Sequence, residues 1–388
     1  MAPTAGLLDV LGHPERHFPC IHVGGTNGKG STCAFLTADL EARGFKVGLY
    51  TSPHLVSACE RVTVNGQPIS EDAFAQWTSL LQPHIERLEA SFFEAITAIA
   101  FADLAARGVD IAVIEVGLGG RLDATNVVDP LAAVVTKIAL EHTEYLGTEL
   151  AGIAREKAGI AKPGRPFVTG EQDPGIREVL IGEARSRGAA PVITVDSART
   201  PPPGVQLGLL GRHQWANAWV ALATLEALPA PFGRPRSGGQ VPESFAAAYV
   251  PGRLEVRGEW VFDVAHNPDG ARVLRQGLRD LAPRRPLHAL VGVLGDKDYL
   301  GMIAELAGVV DRFVFTVPAS APPERRWDLA RLERELAGTP AAGQARFEPD
   351  FDRALAAVHE GAATVVVTGS FHTVGDALAR LPGFAPVG

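Results

Sequence analysis

Cysteine is nearly absent from this 388-residue chain: Cys20, Cys33 and Cys59 are the whole supply, and all three fall in the first sixty positions. They form no Cys-x-x-Cys pair and stand beside no paired-histidine spacing, which excludes a disulfide scaffold and a zinc site and fits a reduced, cytoplasmic setting. Basic runs are missing too. With 36 basic against 44 acidic residues and a net charge of -8, the chain lacks the clustered Lys and Arg that nucleic-acid binding needs. No uncharged apolar run approaches the roughly 20 residues of a membrane span. The opening "MAPTAGLLDVLGHPERH" lacks the basic start and apolar block of a secretory leader, so a soluble protein without a membrane partner is expected. Nor is there a Ser-His-Asp or Cys-His signature, and no covalent protein nucleophile is expected.

What is present is an ordinary globular composition, 46% apolar and 21% charged, on a chain long enough for two domains or three. Short β-branched runs alternate with helical patterns. Strands are predicted at Ile21–Val23, Val47–Tyr50, Ile111–Val116, Ala132–Ile138 and Phe167–Thr169. Between them, "FFEAITAIAFADLAARG" places Phe93, Ile96, Ala100, Phe101 and Leu104 on one helical face, ended by Gly108. This rhythm predicts a mostly parallel sheet covered by helices on both sides. "RVTVNGQPI" adds a hairpin turning at Asn65-Gly66.

The stretch Leu228–Ser244 is rich in Pro, Gly and Ser without periodicity and reads as a linker. It divides the chain into a first domain, 1–238, and a second, 242–388, with the linker about 229–241. Beyond it, "WVFDVA", "LHALVGVL", "RFVFTVP" and "ATVVVTG" are strands of a smaller α/β, Rossmann-like unit.

The segment "CIHVGGTNGKGSTCAFL", Cys20 to Leu36, runs from a strand through a glycine turn into a helix. Glycines let backbone N–H groups converge on an anion, and the helix N-terminus adds partial positive charge. Lys29 can reach the β- and γ-phosphates of a nucleotide, and the Ser31 or Thr32 hydroxyl can ligate Mg²⁺. The strict G-x-x-x-x-G-K-[ST] pattern is broken: Val23 stands at its first glycine, and Gly30 separates Lys29 from Ser31.

That variant loop, "GTNGKGST", resembles the one in ATP-dependent amino-acid ligases, the Mur ligases and folylpolyglutamate synthase. Further stretches side with the folylpolyglutamate/dihydrofolate synthase branch: "GLYTSPHLVSACERVTVNG", "EVGLGGRLDATNVVDP", "EHTEYLG", "REKAGIAKPG", "GRHQWANA", "PGRLEV", "DVAHNP", "GDKD" and "TGSFHTVG", in order from about residue 20 to 376. The resemblance implies a Mur-ligase-like fold, with an N-terminal P-loop ATPase-like domain and a C-terminal glutamate-ligase domain.

It also implies a set of site residues. ATP falls to Thr26, Asn27, Gly28, Lys29, Gly30 and Ser31, with Asn217, Arg253 and Asp263. Ser31, Ser52, Glu115 and His142 are implied as ligands of two magnesium ions. Glu115 also stands out unaided, as a carboxylate ending an apolar strand beside the loop. The family's usual Leu-Asp-His is here Leu140-Glu141-His142. Lys157 matches a lysine that CO₂ carbamylates, and Phe92, Phe93, Leu122, Asp123 and Ala124 match the pteroate pocket. Phe93 fits a core position equally well.

The implied reaction is MgATP-dependent joining of L-glutamate to a folate γ-carboxylate through an acyl phosphate. Phosphorylation is needed because an unactivated carboxylate resists amine attack. His266 or Asp263 would take the amine proton. Bifunctionality, with dihydropteroate as a second acceptor, is expected, as is a monomer. Two alternatives stay open: dihydrofolate synthase activity alone, and a nucleotide-dependent switch that binds a partner.

Overall fold

The structure, a computed structural model, describes residues 2–140, 143–196 and 198–381. The first half is built on an eight-stranded sheet: β1 Cys20–Gly24, β2 Val47–Tyr50, β3 Val62–Val64, β4 Gln67–Pro68, β5 Ile111–Glu115, β6 Ala132–Val135, β7 Phe167–Thr169 and β8 Val192–Thr194, in the order β4-β3-β2-β5-β1-β6-β7-β8. The strands from β2 through β8 in that order are parallel, and β3 and β4 add an antiparallel hairpin at one edge. Its turn has Asn65 and Gly66 both at positive φ, the conformation an Asn-Gly pair favours.

Side-chain alternation along the strands feeds two cores. On β1, Ile21 and Val23 face the helices Lys29–Ala42 and Gln214–Ala227, while Cys20 faces Phe92–Ala106 on the other side. That last helix starts at a capping box made by Ser91 and Glu94 and is buried from Ala95 to Leu104. Ala100, Phe101 and Leu104 are within the core on that side and Ile96 is buried, as the pattern predicted.

The second sheet comprises β9 Glu255–Arg257, β10 Trp260–Asp263, β11 Leu287–Val291, β12 Arg312–Phe315, β13 Ala345–Phe347 and β14 Thr364–Thr368, ordered β13-β12-β11-β14-β10-β9. Only β9 is antiparallel. The stretch between the sheets is not slack. Arg234 and Ser244 both bond the buried Asp39 carboxylate. Phe245 packs on Phe35 with ring centroids 4.9 Å apart. In return, Leu55, on the loop after β2, enters the core of the second half. A β-carbon at Gly375 would stand 2.0 Å from the Leu55 carbonyl oxygen, so that contact requires glycine. Among the described residues no helix is long and apolar enough to cross a membrane.

Candidate functional site

β1 delivers the chain into the glycine loop at the C-terminal edge of the parallel sheet, where such folds gather ligands. Two glycines there are obligatory. Gly25 has φ +130° and a β-carbon on it would lie 1.9 Å from Thr136 Oγ1; Gly28 has φ +94° and would meet Asn217 Oδ1 at 2.2 Å. The loop is strapped to the segment after β6: Thr26 N–H donates to the Lys137 carbonyl at 2.8 Å, and Thr136 Oγ1 donates to the Asn27 carbonyl at 2.8 Å. That strap ends β6 at Val135, short of the predicted Ile138, because Lys137 pairs with Asn27 instead of the next strand. Helix Lys29–Ala42 begins at Gly28 without a side-chain cap, so its first-turn N–H groups are left for an anion. Lys29 curls over the loop, donating from Nζ to the Thr26 carbonyl at 3.1 Å.

Glu115 ends β5 opposite Val23 and is 4% exposed. Its Oε2 accepts the Ser52 N–H at 3.2 Å, and a β-carbon on Gly30 would lie 3.8 Å from the same oxygen. Burial raises its pKa, opposed by Lys29, the Ser52 N–H, Arg253 and Arg61. Ser31, Ser52 and Glu115 are hard oxygen donors beside a phosphate cradle, a set that suits a divalent cation sharing nucleotide oxygens. Among the described residues no three His, Cys, Asp or Glu cluster together, and His142, with Glu141, lies outside them. Lys157 is buried behind the loop and donates from Nζ to the Gly25 carbonyl at 2.9 Å. That bond ties it to the glycine loop, although Lys157 is not itself among the residues lining the cavity.

The second half supplies the facing wall. Asp263, at the end of β10, accepts the N–H of Leu254 at 2.8 Å and of Ala265 at 2.9 Å, one on each oxygen. Burial raises its pKa and Arg253 opposes the rise. Arg253 lies 5.7 Å from the Phe371 ring centroid. His266 Nδ1 is 2.9 Å from the Val264 carbonyl, which places the proton on Nδ1 and the lone pair on Nε2. From the first half, Asn217 is held by Gln214 at 2.9 Å, next to His213, whose pKa burial lowers to about 4.

At the other end, Phe92 is 59% exposed and Leu122 62%. Arg61 lies 5.3 Å from the Phe92 ring centroid. Phe93 stacks on Tyr50 with centroids 6.3 Å apart, its ring occupies the space over Gly117, and it borders the cavity. Asp123 gives its oxygens to its own loop, accepting from Leu118 N and from Thr125 N and Oγ1. It organises the wall on which Leu122 and Ala124 sit.

The glycine-loop residues Thr26 to Ser31, Ser52, Glu115, Asn217, Arg253, Asp263, His266 and the five acceptor-end residues all border one cavity of about 1470 Å³ between the two halves. Sequence reasoning missed Arg61, Lys137, Lys297 and Arg325, which border the same cavity. Lys137 carried a usable signal, since it follows the end of an apolar strand beside the glycine loop. Of the other three, Arg61 and Arg325 end short 3₁₀ turns and Lys297 lies in a loop, with nothing in their spacing to mark them.

Comparison with known proteins agrees with this geometry. Residues 23–199 match the Mur ligase middle domain and residues 252–371 the Mur ligase glutamate ligase domain. The dihydrofolate synthase/folylpolyglutamate synthase of Mycobacterium tuberculosis is 38% identical over 96% of this chain and 88% of its own length. The M. tuberculosis folylpolyglutamate synthase structure complexed with ADP superposes with a TM-score of 0.88 at 36% identity, covering 100% of this chain and 94% of that one. The structure of E. coli FolC in complex with DHPP and ADP gives a TM-score of 0.83 at 34% identity, covering 97% and 91%. Similarity of this extent in sequence and structure makes the present chain a member of the dihydrofolate synthase/folylpolyglutamate synthase family of Mur-type ligases.

Proposed function

We propose that the protein joins L-glutamate to the γ-carboxylate of a reduced folate at the expense of ATP, and adds the first glutamate to dihydropteroate at the same site. The observation that carries this is the single cavity in which the glycine loop and Glu115 face Arg253, Asp263 and His266 across the domain cleft, with an apolar, aromatic end for a flat acceptor. The glycine loop and Asn217 hold the nucleotide. Ser31, Ser52 and Glu115 hold Mg²⁺, which supplies neutralisation of phosphate charge when bound. His142 and a carbamylated Lys157 complete that set in this reading. Phe92, Phe93 and Leu122 take the pterin and its aryl ring.

Lys29 and Arg253 approach the transferring phosphoryl group from opposite walls, placing fixed positive charge where negative charge develops. The acceptor carboxylate attacks the γ-phosphate in line and ADP leaves; the glutamate amine then attacks the acyl carbon of the acyl phosphate, forming the amide as inorganic phosphate departs. That amine sheds a proton before attack. His266 suits this task better than Asp263, because with Nδ1 donating to the Val264 carbonyl the neutral ring presents Nε2 as its acceptor, while each Asp263 oxygen already accepts one backbone N–H. Closure of the cleft keeps water from the acyl phosphate.

As a domain division, the boundary is better placed at Val250–Gly252 than at 229–241, because Ser244 and Phe245 are anchored to the first half. A cytoplasmic monomer completes the reading. The decisive assay follows phosphate release from MgATP with L-glutamate and either tetrahydrofolate or dihydropteroate. Release that needs both the amino acid and the acceptor supports ligation. Release without either, or only with a protein partner, overturns it, and activity confined to dihydropteroate removes chain extension.

A further inference from the structure

His22 lies at the middle of β1, fully buried, with no part in the nucleotide chemistry. Its Nε2 is 2.8 Å from Thr125 Oγ1, and Thr125 Oγ1 is 2.5 Å from Asp123 Oδ1. Asp123 Oδ1 also accepts the Thr125 N–H at 3.0 Å, and Oδ2 accepts the Leu118 N–H at 2.7 Å. Burial raises the Asp123 pKa and these donors oppose the rise; as a carboxylate it is an acceptor only. The single hydroxyl proton of Thr125 therefore goes to Asp123, and Thr125 Oγ1 can accept only if His22 carries its proton on Nε2. Consistent with that tautomer, His22 Nδ1 is buried without a partner among the described residues, as a lone pair tolerates better than an N–H would. Burial also holds the imidazole neutral, its pKa lowered to about 3.

We infer that His22 and Thr125 are positioning residues for the acceptor: a buried relay, His22 Nε2–H to Thr125 O–H to Asp123, fixes the loop Gly117–Ala124 to the central strand. Through Asp123 the relay sets where Leu118 and Leu122, both on the cavity wall, stand against the acceptor's aromatic body. The inference rests on the reading that this end of the cavity takes the pteroyl group. It assigns acceptor affinity to a histidine that never touches the ligand.

Steady-state kinetics on Thr125→Val, which keeps the shape and removes the hydroxyl, tests it. Loss of the hydroxyl, which both accepts from His22 and donates to Asp123, predicts a rise of about tenfold in KM for dihydropteroate or tetrahydrofolate, with kcat and KM for ATP within about twofold. His22→Leu should behave likewise, and His22→Gln, whose amide can still donate to Thr125, should recover most of the affinity. Equal losses across all substrates, or an unchanged acceptor KM, overturn the inference. If Thr125→Val does not fold, ¹⁵N NMR of the wild-type histidines decides: a neutral Nε2–H signal for His22 across neutral pH supports the relay, and an Nδ1–H tautomer or an imidazolium overturns it. Failure of the wild type to ligate glutamate to any acceptor would instead sink the functional reading and leave the relay's chemistry to the NMR result.

Discussion

Lys29 is the residue on which charge complementarity at the loop depends. Among the described residues its Nζ donates only to a backbone carbonyl, so truncating it removes little from the fold and much from the site. Lys29→Ala is expected to lower kcat/KM for ATP by about a thousandfold, the loss of a charge that acts on the developing transition state, while the melting temperature is unchanged. A variant with near-normal turnover would remove Lys29 from the mechanism. Glu115 carries the complementary test, and its sign follows from burial. Its carboxyl titrates above the usual carboxylate range because burial disfavours the charge. A raised acid contributes stability that is fully present below its unfolded pKa and is lost as pH rises through the folded one. The metal-free protein therefore carries a destabilising charge at neutral pH, which a divalent cation relieves. Thermal melts with and without Mg²⁺ should show a stabilising shift at neutral pH that fades as the solution is made acidic. Glu115→Gln should raise the metal-free melting temperature at neutral pH and abolish the metal-induced shift. A shift that persists in the variant would place the cation elsewhere.

At the level of elements, the predicted strands fell within a few residues of β1, β2, β5, β6 and β7, because fully buried parallel strands read as continuous β-branched runs. The elements that escaped are edges. β8 is a three-residue, half-exposed strand behind Pro191, too short to stand out, and β9 alternates charged residues around Val256, so it carries no apolar run. The site was legible in the same measure. Residues on strand ends and in the glycine loop announced themselves, whereas Arg61 and Arg325 depend on tertiary folding to reach the cavity. The segment 228–244 reads as a linker in the sequence for a related reason. Its lack of periodicity is real, but side chains of the first half, Asp39, Arg43 and Glu226 among them, hold it in place. Asp39 is completely buried in helix Lys29–Ala42 and accepts from Arg234 Nε at 2.8 Å and from Ser244 Oγ at 2.8 Å. Asp39→Ala strands a partly buried guanidinium and the Ser244 hydroxyl, and should cost about 2–3 kcal/mol in denaturant unfolding, with new proteolytic cleavage between residues 229 and 250. Unchanged stability and an intact protease pattern would show that Phe245 packing alone anchors the segment.

Across the whole molecule, the two halves meet at the phosphate loop itself. Asp269, in the first turn of helix Pro268–Leu281, accepts from Asn27 Nδ2 at 2.8 Å and from Lys137 Nζ at 3.0 Å, and pairs with Arg272. Burial works to raise its pKa, yet Lys137 and Arg272 outweigh it and hold the carboxyl below its ordinary value. A full negative charge from the second domain thus stands at the mouth of a cradle built for a triphosphate, and it occupies both the Asn27 amide and the Lys137 ammonium. A single charge at about 7 Å in a partly solvated cleft is worth about 1 kcal/mol. Asp269→Asn, which keeps the size and removes the charge, should bind ATP about fivefold more tightly by calorimetry at low salt. Lys137→Met should bind it more weakly. Both effects should shrink at high ionic strength, where screening acts within a few ångströms. A weaker ATP complex in Asp269→Asn would reverse the argument. The carboxylate would then serve as a strut that holds the second domain over the nucleotide, and closure would depend on the bridge being made.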